Sequence, residues 1–175
     1  MSEVYRVGLA RELLGMLRPA GELEPAELGL ALLEGHAGLE VAYLDNAANE
    51  LSADDIAGYE AVLALANVSA MPTETIVGAE RLLHVARFGV GYDNVDVEAC
   101  PRAGVAVTIA PDGVRSAMAG GALTFILALS RNVATMERLA REGRWAERVA
   151  NRGLGLTGRT LGVVGLGNIG RDLLV

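Results

Sequence analysis

Through the first hundred residues, short apolar runs alternate with stretches in which apolar positions recur every three or four residues. The runs are Tyr5 to Ala10, Leu39 to Leu44, Ala61 to Leu65, Leu83 to Arg87 and Val105 to Ile109. Runs of this kind, apolar rather than strictly alternating, suit strands buried on both faces of a parallel sheet. With helical patterns between them they predict a doubly wound α/β domain, its five strands in a flavodoxin-like sheet.

The connecting segments carry their own start and stop signals. Glu24 to Glu34 has helical spacing and can take Pro25 in its first turn. Ser52 followed by Asp55 predicts a capping box, and Pro72 to Gly78 a helix entered through proline. Asp93 or Asp96 could cap a helix stopped at Gly104, and Pro101 predicts that this helix is short or kinked. From Arg115 to about Glu142 one long helix is expected, apolar in its first half and charged in its second, as a connector between domains. Its apolar stretch, Ala117 to Leu129, is shorter than the roughly 20 residues of a membrane span and is expected to be a buried helix. Gly143 to Gly158, around Trp145, is expected to be irregular.

A final apolar run, Thr160 to Val164, reads as another parallel strand, and Gly165, Gly167 and Gly170 follow it at G-x-G-x-x-G spacing. In a dinucleotide-binding turn the first glycine makes the tight bend, the second admits the pyrophosphate and the third lets helix and strand pack closely. A helix starting near Asn168 would aim free N–H groups at the phosphates. One strand and one helical turn cannot form a domain, so a Rossmann unit that is begun and cut short is expected here. The acidic residue for the adenosine ribose, about 20 residues past the glycines, would fall beyond Val175.

Composition narrows the function classes. Half the chain is hydrophobic (51%) and 21% is charged, which fits a large core. The net charge of −7, with no basic stripe, argues against nucleic acid as a partner. All 15 basic residues are Arg, which excludes a lysine Schiff base or P-loop lysine within the chain. A lone Cys100 forms no internal disulfide, and with no leader-like N-terminus the expected compartment is the cytoplasm, with no membrane partner.

Several residue groups admit two readings. Gly89 and Gly91 in Phe88 to Tyr92 can form either an anion-holding nest or a plain turn after a strand. Asp93, Asn94 and Asp96 suit Asx hydrogen bonds and capping better than metal binding. His84, within a strand, and His36, near a helix end, are not read as catalytic acids. Cys100 is read as a small buried hydrophobe, and Trp145 as packing at a domain or subunit boundary.

Three segments together carry a family pattern: RFGVGYDNVDVEACPRAGVAVTIAPDGV from Arg87 to Val114, ALSRNV at Ala128 to Val133, and GRW at Gly143 to Trp145 leading into LTGRTLGVVGLGNIGR at Leu156 to Arg171. The chain resembles the N-terminal half of a D-isomer-specific 2-hydroxyacid dehydrogenase, the family of phosphoglycerate dehydrogenases and glyoxylate or hydroxypyruvate reductases. The resemblance is specific over Leu83 to Val175 and topological before that. It implies a flavodoxin-like substrate domain (1–112), a connecting helix and interdomain segment (113–157), and the first strand-turn-helix of a Rossmann NAD(P)-binding domain (158–175). The active site would lie in the cleft between the two domains.

The resemblance also implies roles. Gly165, Leu166, Gly167, Asn168, Ile169 and Gly170 would meet the cofactor, NAD or NADP, and the backbone N–H groups of Gly89, Val90 and Gly91 the carboxylate of a small 2-hydroxy or 2-oxo acid. The family's Arg and its Glu–His pair come later in the chain than the glycine motif, so no catalytic residue is expected here and the chain alone should be inactive. A homodimer is expected for the full-length protein. Two departures set this chain apart: Gly120, followed by Gly121, stands where the family commonly has an acidic residue, and Ile109 where an Asn often follows the fifth strand. The alternative is a noncatalytic nucleotide-sensing or scaffold protein on the same architecture.

Overall fold

The computed structural model describes residues 4–13, 29–33, 35–46, 49–65 and 68–175. They form two compact units, Met1–Pro111 and Asp112–Val175.

In the first unit all five strands form where the apolar runs lie: β1 (Tyr5–Leu9), β2 (Leu39–Tyr43), β3 (Ala61–Leu65), β4 (His84–Phe88) and β5 (Ala106–Thr108). They pair in parallel in the order β2-β1-β3-β4-β5, the flavodoxin-like order. Side chains alternate between the faces of β3. Val62 and Ala64 enter a core with Leu44, Ile56, Met71, Ile76, Leu82 and Val85, whereas Leu63 and Leu65 meet Leu9, Leu13 and Leu30 on the other face. Gly8 in β1 sits close under that packing: a Cβ there would stand 2.6 Å from Leu44 Cδ2 and 3.2 Å from the Tyr59 ring, so the Leu44 side chain would have to shift to admit one.

The local signals form as the residues require. Ser52 caps α1 (Ala53–Ile56): its hydroxyl accepts from Asp55 N–H while the Asp55 carboxylate accepts from Ser52 N–H. The Ser52 hydroxyl also donates to the Asp55 carboxylate at 2.7 Å, and that bond, first among the contacts to this group, holds the Asp55 pKa below its ordinary value. Pro72 caps α2 (Thr73–Gly78). The helix with Pro101 is short, α3 (Cys100–Ala103), takes the proline in its first turn, and stops at Gly104 with φ 74°. Of the expected helix at Glu24 to Glu34, residues 24–28 and 34 lie outside the described residues, and Leu30–Leu32 form one 3-10 turn.

A buried carboxylate ties the amino ends of the strands together. Glu60 accepts from Arg6 N–H (2.6 Å) and from the Arg81 guanidinium (Nε, 2.7 Å), flooring a cavity of about 390 Å3 beside Tyr5 and Leu83. Burial, the largest influence, pushes its pKa up, but the Arg6 and Arg81 hydrogen bonds outweigh it and leave Glu60 below its usual 4.5. The unfolded chain therefore binds this proton at higher pH than the native one. The stabilisation is complete above about pH 4.5 and is lost as pH falls through the native value. Glu60→Gln is expected to flatten that acid loss; urea midpoints of both proteins at about pH 6 and about pH 3 would converge at the lower pH, and a constant gap would refute it.

The second unit departs from the sequence reading in three places. The single helix expected from Arg115 to Glu142 is two, α4 (Pro111–Ser130) and α5 (Val133–Arg141), because Asn132 turns left-handed (φ 53°, ψ 39°) and its side-chain amide donates to Asn151 O at 2.8 Å. Secondly, α4 is not a buried helix: Ala119 is its buried residue, while Met118, Leu123, Phe125 and Leu129 are exposed. At 20 residues, longer than the apolar stretch suggested, it contains an 18-residue window of mean hydropathy 1.3, so by length and composition only it could cross a membrane. Finally, Thr160 to Val164 forms no strand. No described segment pairs with it, and Leu161 and Val164 (106% exposed) lie open. A parallel strand is defined by its neighbour, and this run has none among the described residues.

Candidate functional site

Two glycine turns, one in each unit, present rows of backbone donors. In the first unit the turn leaves the carboxyl end of β4, the side of an open parallel sheet where ligands bind. Gly89 adopts φ 130°, a conformation closed to side-chain-bearing residues, and its carbonyl accepts from Ala110 N–H at 2.8 Å. The N–H groups of Val90, Gly91 and Tyr92 have no partner among the described residues. Phe88, Val90 and Tyr92 place exposed apolar surface around them.

Beneath this turn lies a buried guanidinium that sequence reading passed over. Arg87 is 3% exposed; its Nε donates to Gly91 O at 2.8 Å, its Nη2 to the same oxygen, and its Nη1 to Ala64 O at 2.9 Å. Burial lowers its pKa from the ordinary arginine value and the nearby Asp93 charge partly offsets that. The available signal was a lone cation closing an apolar strand.

The residues after the turn brace it. The Asn94 side-chain amide donates to Leu65 O (3.2 Å) and Val68 O (3.0 Å), tying the loops after β3 and β4, and Met71 pairs with Val95 in a parallel bridge. Asp96 accepts from Glu98 and Ala99 N–H (3.1 Å each) and from the Thr73 hydroxyl. Those bonds, Thr73 foremost, hold its pKa low. Asp96 therefore makes the local capping bonds expected of it, whereas Asn94 reaches the loop after β3 instead, and among the described residues no group of three or more His, Cys, Asp or Glu is placed to hold a metal ion. Ser69 is buried with φ 58°, unusual for a residue with a side chain and not signalled by the sequence.

The remaining candidates fall where their chemistry leaves them. Cys100 is buried, and burial, with the Asp96 charge, raises its pKa and disfavours the thiolate, as suits a small core residue. His84 Nε2 meets Thr108 Oγ1 at 2.8 Å within the sheet. Trp145 lies exposed on a 3-10 turn, Trp145–Arg148, with the Arg148 guanidinium 5.0 Å over its ring.

In the second unit Gly165 bends the chain at φ 91° into α6 (Asn168–Leu173), with Gly167 extended at its cap. None of the N–H groups from Leu166 to Gly170 has a partner among the described residues. Gly170 has no room for a side chain: a Cβ would stand 2.3 Å from Gly165 O. Arg171 Nε donates to Leu166 O at 3.0 Å, and Asp172 receives Arg115 Nε (3.0 Å) and the Ser116 hydroxyl (3.1 Å), fixing α6 to the start of α4.

The family described as D-isomer specific 2-hydroxyacid dehydrogenase, catalytic domain, matches residues 22–151. A D-3-phosphoglycerate dehydrogenase of Archaeoglobus fulgidus is 35% identical over 136 residues, 78% of this chain and 25% of that protein. A glyoxylate reductase of Pyrococcus furiosus is 39% identical over 106 residues, 57% of this chain and 32% of that one. Among solved structures, an NADPH-dependent glyoxylate/hydroxypyruvate reductase from Sinorhizobium meliloti, in complex with NADP and malonate, superposes with a TM-score of 0.66 at 27% identity, covering 97% of this chain and 49% of that one. The chain thus spans about a quarter to a half of the length of these relatives.

Proposed function

Since this chain belongs to the D-isomer specific 2-hydroxyacid dehydrogenase family, we propose that it is the N-terminal part of an NAD(P)-dependent oxidoreductase that moves a hydride between nicotinamide and a small 2-hydroxy or 2-oxo acid. The observation that carries this reading is the pair of glycine turns with unpartnered N–H groups, Val90 to Tyr92 and Leu166 to Gly170. A row of N–H groups aimed at one point holds an anion. The first row suits a substrate carboxylate, contacted through Gly89, Val90 and Gly91. The second suits a pyrophosphate, contacted through Gly165, Leu166, Gly167, Asn168, Ile169 and Gly170.

The residues fit such a cofactor because Gly165 bends out of the way and Gly170 lets α6 approach the turn. When bound, the nicotinamide supplies the hydride chemistry, and this chain orients the two anions. It contributes no catalytic acid or base, so the 175 residues by themselves are inactive. The exposed apolar face of α4 that carries Met118, Phe125 and Leu129 is where a second copy would pack in a homodimer. We assign the protein to the cytoplasm, with neither nucleic acid nor membrane as partner.

The test joins this chain at Val175 to the downstream half of a relative's cofactor domain and follows NADH loss with glyoxylate and hydroxypyruvate. Turnover by the chimaera and none by the chain alone is expected. A chimaera that folds and binds NADH but reduces no 2-oxo acid would overturn the enzyme reading in favour of a nucleotide-binding scaffold.

A further inference from the structure

We propose that Arg87 is a positioning residue: its buried guanidinium holds the Gly91 carbonyl inward so that the Val90 to Tyr92 N–H groups face a substrate anion. This rests on the reading of that turn as the carboxylate site.

In a planar trans peptide the carbonyl and the following N–H point in opposite directions, and the described chain has no cis peptide bonds. The Gly91 oxygen is taken from the buried side by Arg87 Nε (2.8 Å) and Nη2, which turns the Tyr92 N–H outward. The Gly89 oxygen is held by Ala110 N–H at 2.8 Å, which does the same for Val90 N–H. Both glycines are free to rotate, so without these ties the turn has many conformations and few of them line up three donors. Arg87 also donates to Ala64 O at 2.9 Å, so the turn is referred to β3, a central strand, and not to its own strand alone.

An arginine suits this task where a lysine does not. Its planar fork reaches two carbonyls on different segments at once and stays charged when buried. The guanidinium does not touch the anion. It sets the donors that do, and the cost of ordering the turn is met in folding and not on binding.

The probe is oxalate, added to the 175-residue chain while backbone amides are followed by NMR. Saturable shifts at Val90, Gly91 and Tyr92 are expected in the parent sequence. Arg87→Ala should weaken them about tenfold or more, the scale of losing a charge-assisted hydrogen bond, with free guanidinium restoring them and Arg87→Lys intermediate. If Arg87→Ala fails to fold, exchange of the Arg87 Nε–H in the parent chain decides. Opening the Arg87 ties should break the site, so at 100 times Kd oxalate should slow that exchange by up to about 100-fold. A folded Arg87→Ala protein that binds oxalate as well as the parent, or an Nε–H exchange rate indifferent to oxalate, overturns the positioning role. Amides at Val90 to Tyr92 that ignore oxalate in the parent chain would instead remove the carboxylate site itself.

Discussion

Ile56→Ala is expected to lower the melting temperature of the first unit by about 10–25 °C, from a loss of about 2–5 kcal/mol on truncating a buried isoleucine. Ile56 closes α1, is fully buried, and packs in the core that includes Val62, Ile76 and Val85. Removing three carbons there leaves a cavity between α1 and the sheet. Because α1 is four residues long and depends on its cap and this anchor, the space cannot close by helix rearrangement alone. Domains of this size have about 5–15 kcal/mol in total, so the change takes a large part of the margin. Calorimetry of parent and variant measures it; a shift under about 4 °C, worth about 1 kcal/mol or less, would mean that the site collapses without loss.

Gly170→Ala is expected to detach α6 from the glycine turn. The added methyl would lie 2.3 Å from the Gly165 carbonyl oxygen and 3.5 Å from Val163 Cγ1, and the first contact is with backbone that no rotamer change relieves. Overpacking of this kind costs about 1–3 kcal/mol, so amide protection at Arg171, Asp172 and Leu173, the hydrogen-bonded end of α6, should fall by about 10–100-fold. In the chimaera proposed above, NADH affinity should fall with it, because the turn and helix would no longer present their donors together. Gly170→Ala with parental protection in α6 would show that the turn yields freely, and close packing would cease to be the reason for glycine there.

Much of the first unit was legible because its signals are local. The apolar runs became strands within a residue of their expected ends, Ser52 and Asp55 closed their capping box, and Gly104 stopped the Pro101 helix with a left-handed residue. Each depends on neighbours within a few positions. The connecting helix was harder, since Arg131 and Asn132 carry no strong stop signal; the break at Asn132 is secured by Asn151, nineteen residues away. Arg87 was missed for a related reason. A strand-closing arginine reads as a surface residue until the Gly91 and Ala64 carbonyls are seen to converge on it.

The sequence by itself determined which segments become strands, where helices are capped, and which turns need glycine, because backbone conformation and burial preference are set by each residue and its near neighbours. Only the tertiary structure decided the register of the strands, the partners of Glu60 and Arg87, the exposure of α4, and the state of Thr160 to Val164 among the described residues. These depend on hydrogen bonds and contacts between residues far apart in the chain. The last is the clearest case: a run with every local mark of a strand is one only when another strand lies beside it.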